Sequence, residues 1–451
     1  MSATRRLCTV CAVSLVLFSM IQAGMTNDPR MNLYDVIHYN LTIAFNIPQK
    51  TFSGNVRVQA LALKPIEEFV LSATDETLTI DSVKYNDANI PFRHETDHLI
   101  VKLAPAVLPS TQLMLIVFYH GISKFQGQYD GGGVYFTQSD TLGRVATISQ
   151  PNFARTWWPC KDVPSDKATA SITITVPHRL TAVSNGILKG IEHNGETSTY
   201  RWETQYPIAT YLISIAAAEY KEFSDTYTAS NGKQMPIYYY VFPNDVDKAK
   251  KDFEYTDKVL NFLSTTFCEY PFIDEKFGYA EVQGDLTMEN QTICSIQEGL
   301  ITGDKKYAMT ILHETCHQWW GDFISPMSWQ HTWLNEGFAT YSEALYLEHE
   351  KGKEAYNDFL RKMMSIANGK LSGSVVGRSD TSFWDSFSER VYFKGAIVLH
   401  MLRTMLGDSV FFTVMKNYLN NSNLRYGCAT TEDFIQECEN GSGQNLKWFF
   451  N

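Results

Sequence analysis

Between about Asn32 and Glu222 apolar and polar residues alternate in short runs, and beyond that the spacing lengthens to the three-and-four rhythm of helices. The segments "YNLTIAFNI", "GNVRVQALAL", "QLMLIVFYHG", "ASITITVP" and "TYLISIAAAEY" alternate or run apolar and are rich in β-branched residues. That is the pattern of half-buried strands. The clusters Tyr85-Asn86-Asp87 and Asp130-Gly131-Gly132-Gly133 punctuate them as turns. The pattern predicts an all-β domain over 25–226.

A turn at Ser230-Asn231-Gly232-Lys233 and the strand-like "YYYVFPND" open a second region, 227–451. One long amphipathic helix is expected over 246–267, then strand-like pieces beyond Glu281. Further helices are expected at 306–321, 335–351, 391–406 and 431–440. The fold class is therefore multidomain α+β, an all-β domain followed by a mainly helical one.

The first residues have a different character. Arg5 and Arg6 precede an apolar run from Leu7 to Ile21, and Ala23 closes a small-residue cleavage site. These features predict a signal peptide over 1–24, hence a secreted, extracellular or periplasmic protein. The run is short for a membrane span, and no later stretch approaches eighteen apolar residues, so no integral span is expected in the mature chain.

Composition narrows the partners. Over 451 residues the chain is 44% hydrophobic and 19% charged, as in globular proteins, and long enough for two or three domains. A net charge of −11 argues against nucleic acid, which needs clustered Lys and Arg, and suits a cationic ligand. Six cysteines follow the leader; Cys428 with Cys438, and Cys268 with Cys294, are possible bridges that sequence cannot assign. Sequons stand at Asn40, Asn290, Asn420 and Asn440.

The chemistry gathers at residues 313–336. His313 and His317 are four apart, so a helix stacks them on one face, and Glu314 lies beside them. Two such imidazoles bind one zinc ion, with the glutamate as general base. Glu336, nineteen positions beyond His317, is the candidate third ligand, leaving one tetrahedral position open for water. Glu343 lies seven residues further along the same face and could orient one of the imidazoles.

"HETCHQWWGD" followed by "WLNEGFATYSEAL" resembles the zinc-binding region of the aminopeptidase N family of metallopeptidases. "QPNFARTWWPCKDVPSDKA", "LTMEN" and "YFKGAIVLHML" resemble that family's N-domain, exopeptidase and Tyr-x-Lys-Gly elements, in the same order. The resemblance spans about residues 35–450. It implies a thermolysin-like catalytic domain, one zinc ion per chain, and peptide substrates with a free amino terminus. It implies that Glu289, in a loop with Met288 and Asn290, binds the substrate's α-amino group together with Gln150. It implies that Tyr392 stabilises the oxyanion. A glycan on Asn290 would block such a cleft, so that sequon is discounted.

Three departures qualify the likeness. Leu286 replaces the glycine that opens the exopeptidase motif, and Val163 stands where the N-domain motif usually has Glu. The sequence also stops at "LKWFFN", where family members continue into a helical domain. A short form would have a more open cleft or would form a homodimer to cover it. The expected activity is release of amino-terminal residues by zinc-activated water; the alternative is a binding or receptor homologue with a vestigial zinc site.

Overall fold

The computed structural model describes residues 27–124, 132–137, 142–284, 287–378 and 386–450. The expected leader, 1–24, and the Leu286 position lie outside the described residues, as do Asp130 and Gly131 of the glycine-rich cluster.

The N-terminal unit is built on an eight-stranded sheet. Its order runs Ile187–Asn194, Thr197–Ala209, Lys167–Pro177, Tyr34–Asn46, Thr51–Ala62, Gln112–Ile122, Leu78–Tyr85 and Ala88–Ile90. The sheet is antiparallel except where Tyr34–Asn46 runs parallel to Lys167–Pro177, with Leu41 opposite Ile172. Tyr39, Leu41, Ile43 and Phe45 share the buried face of Tyr34–Asn46, the period of two that the pattern predicted. Val36 is also buried although it is out of phase with them, because a bulge between Val36 and His38 shifts the register. A three-stranded and a four-stranded sheet complete the unit.

The run "TYLISIAAAEY" is not one strand. Thr210–Leu212 forms a 3₁₀ turn, and only Ile215–Ala218 is extended. The turn is favoured by side-chain bonds: Thr210 donates to Asp162 (3.1 Å) and Tyr211 donates to the Gly321 carbonyl (3.1 Å).

The second unit opens with a four-stranded sheet of Lys221–Thr228, Gln234–Val241, Phe277–Val282 and Cys294–Gln297. The expected division between 226 and 227 falls inside Lys221–Thr228, whose pairing is with Gln234–Val241. Helices α1 (Val246–Asp252) and α2 (Thr256–Thr266) replace the single helix expected over 246–267. The break has a cause. The Asp252 carboxylate accepts three backbone N–H groups, from Thr302, Gly303 and Lys305 (2.7 Å each), while the Thr256 hydroxyl takes the Phe253 carbonyl.

The remaining α-helices bounded within the described residues are α3 (Ala308–Cys316), α4 (Trp333–Lys351), α5 (Lys353–Lys370), α6 (Gly395–Leu406), α7 (Asp408–Asn420), α8 (Thr431–Ser442) and α9 (Lys447–Phe450). Helix α3 is shorter than the 306–321 expected, because Gly321 at φ +122° turns the chain back and the Asp322 N–H bonds the His317 carbonyl. No helix among the described residues is long and apolar enough to cross a membrane. All six described cysteines are free, which excludes both bridges considered above: the Cys294 thiol faces the Glu314 carbonyl, and Cys428 faces Pro164.

Candidate metal centre and active site

Helix α3 carries His313 and Glu314, and His317 caps its end. Helix α4 packs across it and brings Glu336 into register from its first turn. The two histidine Nε2 atoms lie 3.2 and 3.3 Å from the same Glu336 oxygen. Each Nδ1 has its own acceptor: Glu343 for His313 (2.8 Å) and the Trp320 carbonyl for His317 (2.8 Å). Those bonds hold a proton on Nδ1 and leave the Nε2 lone pairs directed at one point.

The electrostatics of the cluster favour a cation. Burial opposes charge on His317, but Glu289 and Glu336 outweigh it and lift it to about 9. Burial would raise Glu336, but His317 and His313 outweigh it and hold it down at about 2. For Glu314 burial wins, aided by Glu289 and Glu336, and lifts it to about 8. Four carboxylates, from Glu289, Glu314, Glu336 and Glu343, surround two imidazoles. The donor set fits zinc: ligand atoms of His313, His317 and Glu336 all lie within 4.8 Å of one another. A tetrahedral ion with bonds of about 2.0–2.1 Å holds its ligand atoms about 3.3–3.4 Å apart, close to the observed spacings.

The other expected residues arrive from different segments. Glu289 is buried, and an oxygen of it lies within 4.8 Å of ligand atoms of Glu314 and His317. Gln150, from the N-terminal unit, donates its amide to Glu289 at 2.9 Å. Burial, with Glu336 adding, raises the Glu289 carboxyl. Tyr392 sits in a π-helical turn, Arg390–Lys394, directly before α6; this widened geometry is frequent at functional sites. Its ring lies 6.1 Å from that of His313, and burial, then Glu336 and Glu289, keep its hydroxyl protonated.

Two further members of the expected binding loop are buried beside Glu289. Met288 is packed in the core of the N-terminal unit, with its N–H and carbonyl both bridged to Ser295. Asn290 is 1% exposed and donates its side-chain amide to Ser295, which also closes its sequon to a glycan. The bridge between Met288 and Ser295 fixes the backbone of the loop on either side of Glu289. Val163 is buried in the loop after Cys160.

Sequence reasoning passed over the supports of this arrangement. Gly337 and Gly395 let α4 and α6 approach until their Cα atoms nearly touch: a Cβ on Gly337 would lie 2.9 Å from the Gly395 Cα. Each glycine adjoins a site element, which was the available signal. Lys276, buried, and Lys167, half-buried, cross between the units; Lys276 donates to the Ser184 and Gly186 carbonyls (2.9 and 2.6 Å).

Comparison with known proteins agrees with this geometry. Residues 36–212 match the Peptidase M1 N-terminal domain, and 251–451 match the Peptidase family M1 domain. The chain belongs to the M1 peptidase family. Among M1 relatives it is 26% identical to glutamyl aminopeptidase of Sus scrofa, over 94% of this chain and 48% of that protein. It is also 26% identical to aminopeptidase M1 of Arabidopsis thaliana, over 92% of this chain and 50% of that one. The chain thus spans about half the length of the curated M1 relatives it matches. A crystal structure of an M1 zinc metallopeptidase from Deinococcus radiodurans superposes with a TM-score of 0.79 at 22% identity, covering 93% of each chain, and so shares the two-unit fold.

Proposed function

We propose that this protein is a zinc-dependent aminopeptidase that removes amino-terminal residues from peptides. The observation that carries the reading is the buried Glu289 carboxylate, bonded to Gln150 and set beside the His313–His317–Glu336 cluster. A carboxylate there pairs with an ammonium group, which an internal peptide bond lacks. Gln150 donates an amide proton to Glu289, which presents its carbonyl as an acceptor for one proton of that ammonium.

His313, His317 and Glu336 would hold the zinc. Zinc bound there polarises a carbonyl and lowers the pKa of water. Glu314 takes the proton of the attacking water and returns it to the leaving amine. Tyr392 donates its hydroxyl to the oxygen that gains charge as the carbonyl is attacked. Glu314→Gln should retain zinc and lose turnover of amino-acid arylamides by at least about 100-fold. Full activity in that variant, or a wild-type protein that binds zinc and hydrolyses nothing, refutes the reading; the latter is the outcome of a vestigial site.

Export is part of the same reading, supported by Arg5, Arg6 and the apolar run to Ile21. Amino-terminal sequencing of the mature protein tests it, with cleavage near Ala23 expected; an intact Met1 overturns it.

A further inference from the structure

One buried amide outside the reacting groups supports a further inference, which rests on the aminopeptidase reading. Gln318 follows the ligand His317 and is fully buried. A primary amide offers two N–H donors and two acceptor lone pairs, and here both ends are engaged. Its Nε2 donates to Asp322 (2.8 Å) and to the main-chain carbonyl of Glu289 (3.3 Å), with a longer contact to the Asn290 carbonyl (3.5 Å). Its Oε1 accepts from the Thr292 N–H (2.9 Å) and the Tyr270 hydroxyl (3.1 Å). One side chain, rooted beside a metal ligand, thus grips the backbone at the amine anchor itself and three residues further on.

The loop needs to be held. Thr292 is β-branched yet sits at φ +67°, a left-handed conformation strained for such a residue. Gln318 holds its N–H. On the far side the Thr292 hydroxyl accepts from the Gly186 N–H (2.9 Å) and from Lys276 (3.3 Å), while Asn185 donates to the Gln291 carbonyl (2.6 Å). The loop is clamped between the metal segment and the N-terminal unit.

We propose that Gln318 is a positioning residue that sets the spacing between the amine-binding carboxylate of Glu289 and the metal ligands. In an amino-terminal residue the amine and the scissile carbonyl hang from the same Cα, so their separation is chemically fixed. The protein must therefore hold anchor and metal at one matching distance, and Gln318, covalently next to His317 and hydrogen-bonded to the Glu289 carbonyl, links them directly. A loop freed from it keeps its carboxylate but loses that distance.

The test uses the full-length, zinc-loaded chain and two variants. Gln318→Met keeps volume and removes every polar contact; Gln318→Glu keeps the acceptor half. Calorimetry compares an amino-acid hydroxamate with its des-amino counterpart, alongside zinc content and the kcat and KM of an arylamide. In the wild type the amine-bearing hydroxamate should bind more tightly. In the variants that preference should fall roughly tenfold or more, with KM raised, while zinc content and des-amino binding stay unchanged. A merely structural role would weaken both ligands together, which refutes the proposal, as does a preference retained in Gln318→Met. Should Gln318→Met fail to fold, a preference retained in Gln318→Glu refutes it instead. A wild type without any preference for the amine overturns both this inference and the aminopeptidase reading; a preference that survives the variants overturns this inference alone.

Discussion

The contact between Gly337 and Gly395 permits a prediction whose size follows from the geometry. In Gly337→Ala the new Cβ lies 2.9 Å from the Gly395 Cα, 3.0 Å from the Val391 carbonyl oxygen and 3.1 Å from the Gly395 carbonyl carbon. Carbon atoms pack at about 3.5–4.0 Å, so the methyl group must push α4 and α6 apart by about 0.6–1 Å. All three neighbours are backbone, so no side chain can swing aside. Overpacking of this kind costs about 1–3 kcal/mol, and the better helix propensity of alanine offsets about 1 kcal/mol of it. The net loss of stability is therefore modest, about 0–2 kcal/mol. The effect on the site is larger, because Glu336 adjoins the substituted residue on α4 and Tyr392 lies in the turn leading into α6. A displacement approaching 1 Å is worth up to about 100-fold in rate. The assay is kcat for an amino-acid arylamide at matched zinc content, with urea unfolding in parallel. Gly395→Ala should behave alike, and the double variant should lose less than the sum, since one contact is at stake. A Gly337→Ala enzyme with wild-type kcat refutes the claim that close approach of these helices sets the site.

Other perturbations test separate links. Glu343→Gln keeps the shape of the bond to His313 Nδ1 but removes its charge, and zinc affinity measured against a competing chelator should fall about 10–100-fold; unchanged affinity refutes the orienting role. Lys167, half-buried and donating to the Asp322 carbonyl (2.7 Å), has its ammonium pushed down to about 8 by desolvation from an ordinary 10.5. The unfolded chain thus holds a proton the folded one lacks between about pH 8 and 10.5, so this group adds stability as pH rises through that window, by about 3 kcal/mol at most. Urea unfolding at pH 7 and 10 should show the wild type gaining on Lys167→Met; parallel pH profiles refute it. With all six described cysteines free, added reductant should leave the thermal midpoint unchanged, which scanning calorimetry would show.

Much of this molecule was legible in the sequence, for physical reasons that also explain what was not. The strand Tyr34–Asn46 was readable because one face is buried and the other is not, and burial writes a period of two. The metal ligands on α3 were readable because a helix fixes the relation of residues four apart. Helix ends were less so: α1 and α2 are separated by the carboxylate of Asp252 reaching a loop fifty residues away in sequence, and no local pattern records such a partner. The same holds for Met288 and Asn290, both bonded to Ser295. Gln318 was invisible for a related reason. Its importance lies in bonds to Tyr270 and to the loop 289–292, both distant in sequence, whereas its own neighbours in sequence announce only the metal.

The placement of Gln150 and of the turn at 184–186 in the N-terminal unit has a consequence for how the protein is made. On the ribosome these residues emerge first and the metal ligands long after, with Tyr392 last of all. A nascent chain therefore holds Gln150 and the 184–186 turn before their partners Glu289, Gln291 and Thr292 have been made, and those contacts wait for the two units to close on each other. Those contacts depend on docking of the units rather than on their covalent connection, so a chain nicked between the units should keep them while the two pieces stay associated.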